Sequence, residues 1–269
     1  MGNLIPPILA FGFWRFGFPT LRRSQQRPGP PQFIILHSSF IIRTPASHNR
    51  QPRLSPAHLL TCSTLSAQPL YYRPMRVIAG QYRHRKLLAP TGLGTRPILD
   101  RIKTALFDWL GSRLALPGSL PPMRVLDLFC GGGSLGIEAL SRGAVYCAFV
   151  EHESEAMRCL LQNLDALHIG PAARFYHGSA ENIRIAPPPG GDFDLVFFDP
   201  PYVMSKDVGA DATAQRVLAR LGSDVPVTND ALLVWRHDAA VTLPDEVSGW
   251  TALEHRTWGD MTISLYQRK

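Results

Sequence analysis

From residue 124 onward, short apolar runs alternate with stretches whose apolar positions recur every three or four residues. The runs predict strands over 124–129, 145–151, 173–177, 194–199 and 231–237, and the periodic stretches predict helices over 135–141, 153–167 and 214–221. Segments 253–258 and 262–267 read as a closing antiparallel pair around Gly259-Asp260. Apolar strands alternating with helices argue for an α/β fold with a parallel sheet covered on both faces. Ahead of this body, 75–90 predicts two short strands around a turn at 80–83. Asp100 opens a helix over 101–111, with Ile102, Ala105, Leu106, Trp109 and Leu110 on one face and Gly111 as its stop. A Gly/Pro-rich linker at 117–122 follows.

Residues 1–74 break the pattern. They carry 11 of the 24 prolines and show no sustained period, so little packed structure is expected there. Three readings compete: an organelle transit peptide, a flexible basic arm, or a start site placed too far upstream. The abrupt onset of organised sequence favours the third, with Met75 as the functional beginning. The domain reading is therefore 1–74 as a disordered basic Pro-rich leader or a mis-assigned start, 75–122 as a basic front of hairpin and helix, and 123–269 as the α/β body.

Charge sharpens this division. Residues 1–74 hold eight Arg and no Asp, Glu or Lys, and 75–103 hold seven basic residues against Asp100 alone, whereas the remainder is net −7. A basic front on an acidic body is an electrostatic footprint for a polyanion. Cys62, Cys130, Cys147 and Cys159 show neither C-x-x-C nor zinc-ligand spacing, so no disulfide framework and no metal are expected. No apolar stretch is long enough for a membrane span.

Two constellations carry candidate chemistry. Asp127-Leu-Phe129-Cys-Gly131-Gly-Gly133-Ser-Leu-Gly136 follows a strand and opens a helix. Its G-x-G-x-x-G spacing suits close backbone approach to a ligand, a dinucleotide included. Glu151 ends the next strand, where a carboxylate can accept both hydroxyls of a ribose. Asp199-Pro200-Pro201-Tyr202 ends a buried strand: the prolines cannot pair in a sheet, and the stiffened chain holds a carboxylate, a carbonyl and a ring at its rim. Acceptors beside a ring suit a flat base bearing an amino group. The bland alternative is a surface turn with a capping Asp.

Together these residues resemble the class I S-adenosylmethionine-dependent methyltransferases, and within them the RsmD-type family, which methylates the exocyclic N2 of a guanine in bacterial 16S rRNA. The resemblance runs from Met75 to the C-terminus. It is carried by 75–80, Gly94-Thr-Arg-Pro97, Asp100-Arg101, Ala105-Leu-Phe107, 127–131, Glu138-Ala-Leu-Ser-Arg-Gly143, Phe149-Val-Glu151 and the tetrapeptide.

It implies a Rossmann-like, mostly parallel seven-stranded sheet with a C-terminal antiparallel strand. S-adenosyl-L-methionine is implied as cofactor, contacted by Asp127, Phe129, Gly131, Gly133, Gly136, Glu151, Ser179 and Ala180. The catalytic set is Asp199, Pro200 and Tyr202. Arg76, Arg83, Arg85, Lys86, Arg96 and Arg101 are the candidates for RNA phosphates. A cytoplasmic monomer acting on 16S rRNA in the small subunit or its assembly intermediate is expected. Ser179 departs from the acid usual at its place, and Thr104 and Asp108 stand where Glu and Asn are frequent. Rival readings are an amino-directed DNA methyltransferase, a protein-glutamine methyltransferase, which would favour Asn at position 199, and a noncatalytic assembly factor of the same fold.

Overall fold

Successive residues of the central strands point to opposite faces, and both faces are apolar, so each strand must be covered on two sides. The computed structural model describes residues 75–90, 98–201, 204, 206 and 212–269. The expectations for 1–74, Arg96 and Tyr202 lie outside that set. Strands β3 (Arg124–Leu128), β4 (Tyr146–Glu151), β5 (Ala173–His177), β6 (Phe193–Phe198) and β7 (Val227–Asp238) run parallel. Strands β8 (Glu246–Val247), β9 (Trp250–Trp258) and β10 (Met261–Arg268) add an antiparallel end, in the order β5-β4-β3-β6-β7-β10-β9-β8. Seven strands are the long ones expected, and β8 extends the sheet by a two-residue edge.

Val125, Phe149, Leu195, Phe197 and Val234 face one side. There they meet helices α1 (Asp100–Arg113), α2 (Ser134–Arg142) and α3 (Ser154–Ala166). Leu126, Val150, Val196, Phe198 and Trp235 face the other, against Ala214, Val217 and Leu218 of α4 (Thr213–Arg220). Helix α1 corrects one expectation. Gly111 does not stop it; the helix continues to Arg113. Glycine is required there because a Cβ would lie 2.6 Å from the Leu116 carbonyl oxygen.

The basic front is a hairpin of β1 (Met75–Arg76) and β2 (Lys86–Leu87), antiparallel as expected. Its Met75, Val77 and Leu87 enter the same apolar cluster as α1 and the sheet. A buried charge fixes it in place. Glu138 of α2 is fully buried and accepts from the Ile78 and Ala79 amides at 2.8 and 3.0 Å. It pairs with Arg142 at 2.8 Å and with Lys103 of α1 at 3.4 Å. Lys103 in turn donates to the Arg76 carbonyl at 2.7 Å and to Ser134 Oγ at 3.1 Å. Burial lowers the proton affinity of the Lys103 ammonium, and Glu138 opposes that. Gly80 sits so close to α2 that a Cβ would overlap the Ser141 carbonyl.

Glu138→Ala would leave the buried Lys103 without its ion pair, Arg142 with only the Asp108 carboxylate at 3.6 Å, and two amides without an acceptor. It is expected to lower stability in urea unfolding by about 3–5 kcal/mol. A loss within about 0.5 kcal/mol, typical of a surface change, would show that the apolar contacts alone hold the hairpin.

Candidate active site

Strand β6 lies beside β3 on the side away from β4, so the chain's path reverses between them. At such a switch point the two strand-end loops diverge and leave a crevice at the carboxyl edge. Leu128 pairs with Phe198 in register, so the turn after β3 and Asp199-Pro200 after β6 flank that crevice as neighbours.

The turn after β3 is built from residues in left-handed backbone: Phe129 at φ 60°, Gly131 at 56° and Gly133 at 84°. A non-glycine residue there stores strain; the Phe129 ring packs edge-on against Phe198 at 5.6 Å. Among the glycines of this turn and the start of α2, only Gly131 has open space where a Cβ would point. A Cβ on Gly133 would come within 2.5 Å of Leu160, and one on Gly136 within 2.4 Å of Phe149 and 2.6 Å of the Cys147 sulfur. Those two positions are glycine because α2 packs tightly on α3 and β4.

Asp127 is 1 % exposed, and its Oδ2 accepts from the Gly136 amide at 2.8 Å, satisfying one of the open donors in the first turn of α2. Its other oxygen has no donor among the described residues. Burial drives its pKa up to about 8 against the help of Gly136, and the neighbouring carboxylates Asp199 and Glu151 push the same way. Glu151, at the end of β4, is held differently: Gly131, His152 and Glu153 each donate a backbone N–H at 2.7–2.8 Å. About four acceptor sites exist on a carboxylate, so capacity remains for a further donor. The amide of Gly178 binds the Glu151 carbonyl at 2.8 Å and brings Ser179 and Ala180 to this edge. Ser179 Oγ accepts from the Glu181 amide at 3.3 Å, and Ala180 is buried in the core on the α4 face.

Asp199 follows β6 at the other wall of the crevice. Its Oδ1 meets Arg236 Nε of β7 at 2.5 Å, and both side chains are largely buried. Burial raises the Asp199 pKa, and the guanidinium opposes the rise without cancelling it. Pro200 is buried, and the Pro201 carbonyl accepts from the Met204 amide at 2.9 Å. Arg236 escaped the sequence reading; a charged residue inside the apolar run 231–237 was the signal. A second omission is Asn163 of α3, which is buried and joins the hairpin to the glycine turn. Its Oδ1 accepts from the Leu88 amide at 2.7 Å, and its Nδ2 donates to the Leu88 and Gly132 carbonyls at 2.9 and 2.8 Å.

The RNA candidates among the described residues lie on the hairpin and the start of α1. Arg83, Lys86 and Arg101 are exposed. Arg76 pairs with Asp100 at 2.8 Å, and Arg85 donates to the Ala166 carbonyl at 2.7 Å. No cluster of His, Cys, Asp and Glu suited to a metal occurs among the described residues, and none of their helices is long and apolar enough to cross a membrane.

A mostly parallel sheet with this glycine turn, a strand-end carboxylate and an Asp-Pro-Pro edge defines the Rossmann-like methyltransferase class. Residues 75–267 match the family described as conserved hypothetical protein 95, and the chain belongs to that family, the RsmD family. Ribosomal RNA small subunit methyltransferase D of Haemophilus influenzae is 32% identical over 196 residues, covering 72% of this chain and 93% of the relative. The protein of the same name from Escherichia coli K12 is 29% identical over 195 residues, covering 72% and 90%. Among solved structures, the candidate methyltransferase yhhF of Escherichia coli superposes with TM-score 0.59 at 30% identity, over 73% of this chain and 98% of its own.

The raised pKa of Asp127 gives a pH prediction. Its folded value lies above the unfolded one, so stability falls as pH rises from about 4 toward about 8. Asp127→Asn keeps an acceptor for Gly136 and removes the titration. Its melting temperature relative to wild type is expected to rise between pH 5 and pH 8; a constant difference would contradict the assignment.

Proposed function

We propose that the chain transfers a methyl group from S-adenosyl-L-methionine to the exocyclic N2 of a specific guanine in 16S rRNA of the small ribosomal subunit. The observation that carries the reading is the in-register pairing of β3 with β6, which sets the glycine turn beside Asp199-Pro200. The names of the bacterial relatives supply the substrate class. Work in the bacterial cytoplasm as a monomer is part of the same proposal.

The residues present fit the cofactor. Open space at Gly131 admits close approach, the unpartnered oxygen of Asp127 suits an ammonium group, and Glu151 retains capacity for a hydroxyl. When bound, the cofactor supplies an electrophilic methyl on a sulfonium. Ser179 and Ala180 border the place where its adenine would lie. Asp127 also gains from such a ligand, since a nearby cation offsets the cost of its buried charge.

On the acceptor side, a guanine amino nitrogen is a poor nucleophile because its lone pair is delocalised into the ring. The base must first leave its stack to reach the crevice. Asp199 and the Pro200 carbonyl then accept the two N–H bonds, Tyr202 stacks on the ring, and the nitrogen lone pair is turned toward the methyl. Orientation and relief of positive charge developing on nitrogen provide the acceleration. Arg83, Lys86 and Arg101 bind phosphates and supply affinity without reading sequence.

The test incubates the full chain with labelled cofactor and small-subunit particles lacking the modification, and maps the methylated nucleotide. Methyl on guanine N2 is expected; methyl on an adenine or on DNA would overturn the reading. Asp199→Ala is expected to slow transfer by about a hundredfold or more while cofactor affinity stays nearly unchanged. Equal loss of both would move Asp199 into the cofactor site.

A further inference from the structure

A carboxylate that must accept an amine N–H has to be ionised and fixed in direction, and burial works against the first. Asp199 sits in this position, with a largely buried side chain at the edge of β6. The neighbouring strand supplies the remedy. Phe198 pairs with Trp235, so Arg236 is the next residue along β7, level with Asp199. Trp235 turns to the α4 face, whereas Val234, two residues before Arg236, turns to the α1 face with Phe197, two residues before Asp199. Alternation therefore puts Arg236 and Asp199 on the same side of the sheet, and their side chains meet at 2.5 Å.

We propose that Arg236 is a positioning residue for methyl transfer: it occupies Oδ1 of Asp199, keeps the carboxylate ionised and leaves Oδ2 as the acceptor for the substrate amine. The inference deepens the functional reading above and rests on it. Two features support it. An arginine side chain as buried as this one carries a cost that a surface-type solvated cation avoids, and the Asp199 pairing offsets that cost. The second is the contrast with Asp127, which is buried more deeply and has no cation, and whose pKa burial pushes up to about 8. Among the described residues, the charged group acting on Asp199 is Arg236 from β7, while Asp199 itself and Glu151 from β4 act as like charges on Asp127 of β3. Burial raises the Asp199 pKa, and Arg236 is the group that restrains it.

The experiment uses the full chain as wild type, Arg236→Gln and Arg236→Lys, with three readouts. These are the titration of the Asp199 carboxyl carbon by NMR, cofactor affinity by calorimetry, and the pH–rate profile on small-subunit particles. In Arg236→Gln the Asp199 titration is expected to move to higher pH, the acid limb of the rate profile to move with it, and kcat to fall about ten- to hundredfold, with cofactor affinity within about twofold. Arg236→Lys, which keeps the charge, is expected to restore the titration and part of the rate. An unchanged titration and acid limb in Arg236→Gln, or loss of cofactor affinity in step with kcat, would overturn the proposal. If wild type binds cofactor yet methylates no particle, the functional reading fails, and the carboxyl titration alone then decides whether Arg236 sets the state of Asp199.

Discussion

The buried carboxylate of Glu138 is the joint on which the arrangement depends. A charge with no exposure must be matched inside the protein, and here the match comes from three separate segments: Lys103 of α1, Arg142 of α2 and the Ile78 and Ala79 amides of the hairpin. An apolar cluster of the same volume would hold these segments together at equal or lower cost. It would not fix their register, because apolar contacts are non-directional. The carboxylate admits one arrangement, in which Gly80 lies against the backbone of α2 and Lys103 reaches both the hairpin and Ser134 at the start of α2.

The first turn of α2 is also the end of the glycine turn, so that fixed register carries into the site. Lys103 ties Ser134 from above, Asp127 holds the Gly136 amide from within the sheet, and Asn163 holds the Gly132 carbonyl from α3. Asn163 also binds both backbone groups of Leu88, immediately after β2. The basic hairpin and the glycine turn thus share one buried amide. A nucleic acid seated on Arg83 and Lys86 would press on an element bonded directly to the turn that borders the crevice. Strained backbone at Phe129 is tolerated because these contacts over-determine its position.

Much of this was legible in the chain, for a physical reason. Strands β3, β4 and β6 are buried on both faces, so their sequences are continuous apolar runs with sharp ends. Asp127, Glu151 and Asp199 stood out because each is a charge at the end of such a run. What was misread concerns glycine and distance. Gly111 looked like a helix stop because both a stop and a close approach demand a missing Cβ, and only the packed Leu116 carbonyl distinguishes them. Gly133 and Gly136 have a packing reason to be glycine that the spacing did not reveal, since Leu160 and Phe149 fill their Cβ directions. Strand β8 has two residues and no period to detect. Arg236 was hidden because its meaning lies in the cross-strand register, which a single strand's pattern does not encode.

The three carboxylates at the sheet edge are held in three different ways, and the differences follow the work each is suited to. Glu151 takes three backbone N–H groups, which make it a rigid strut between the ends of β3 and β4. Burial raises the Asp199 pKa, and the Arg236 guanidinium paired with it opposes that rise. Asp127 has one amide and two like-charged neighbours, and burial pushes its pKa up to about 8. A cation placed beside Asp127 would oppose that rise, as Arg236 does beside Asp199. The edge is therefore uneven by construction: one carboxylate already has a buried cation against it, and the other has a single amide and an oxygen with no donor among the described residues.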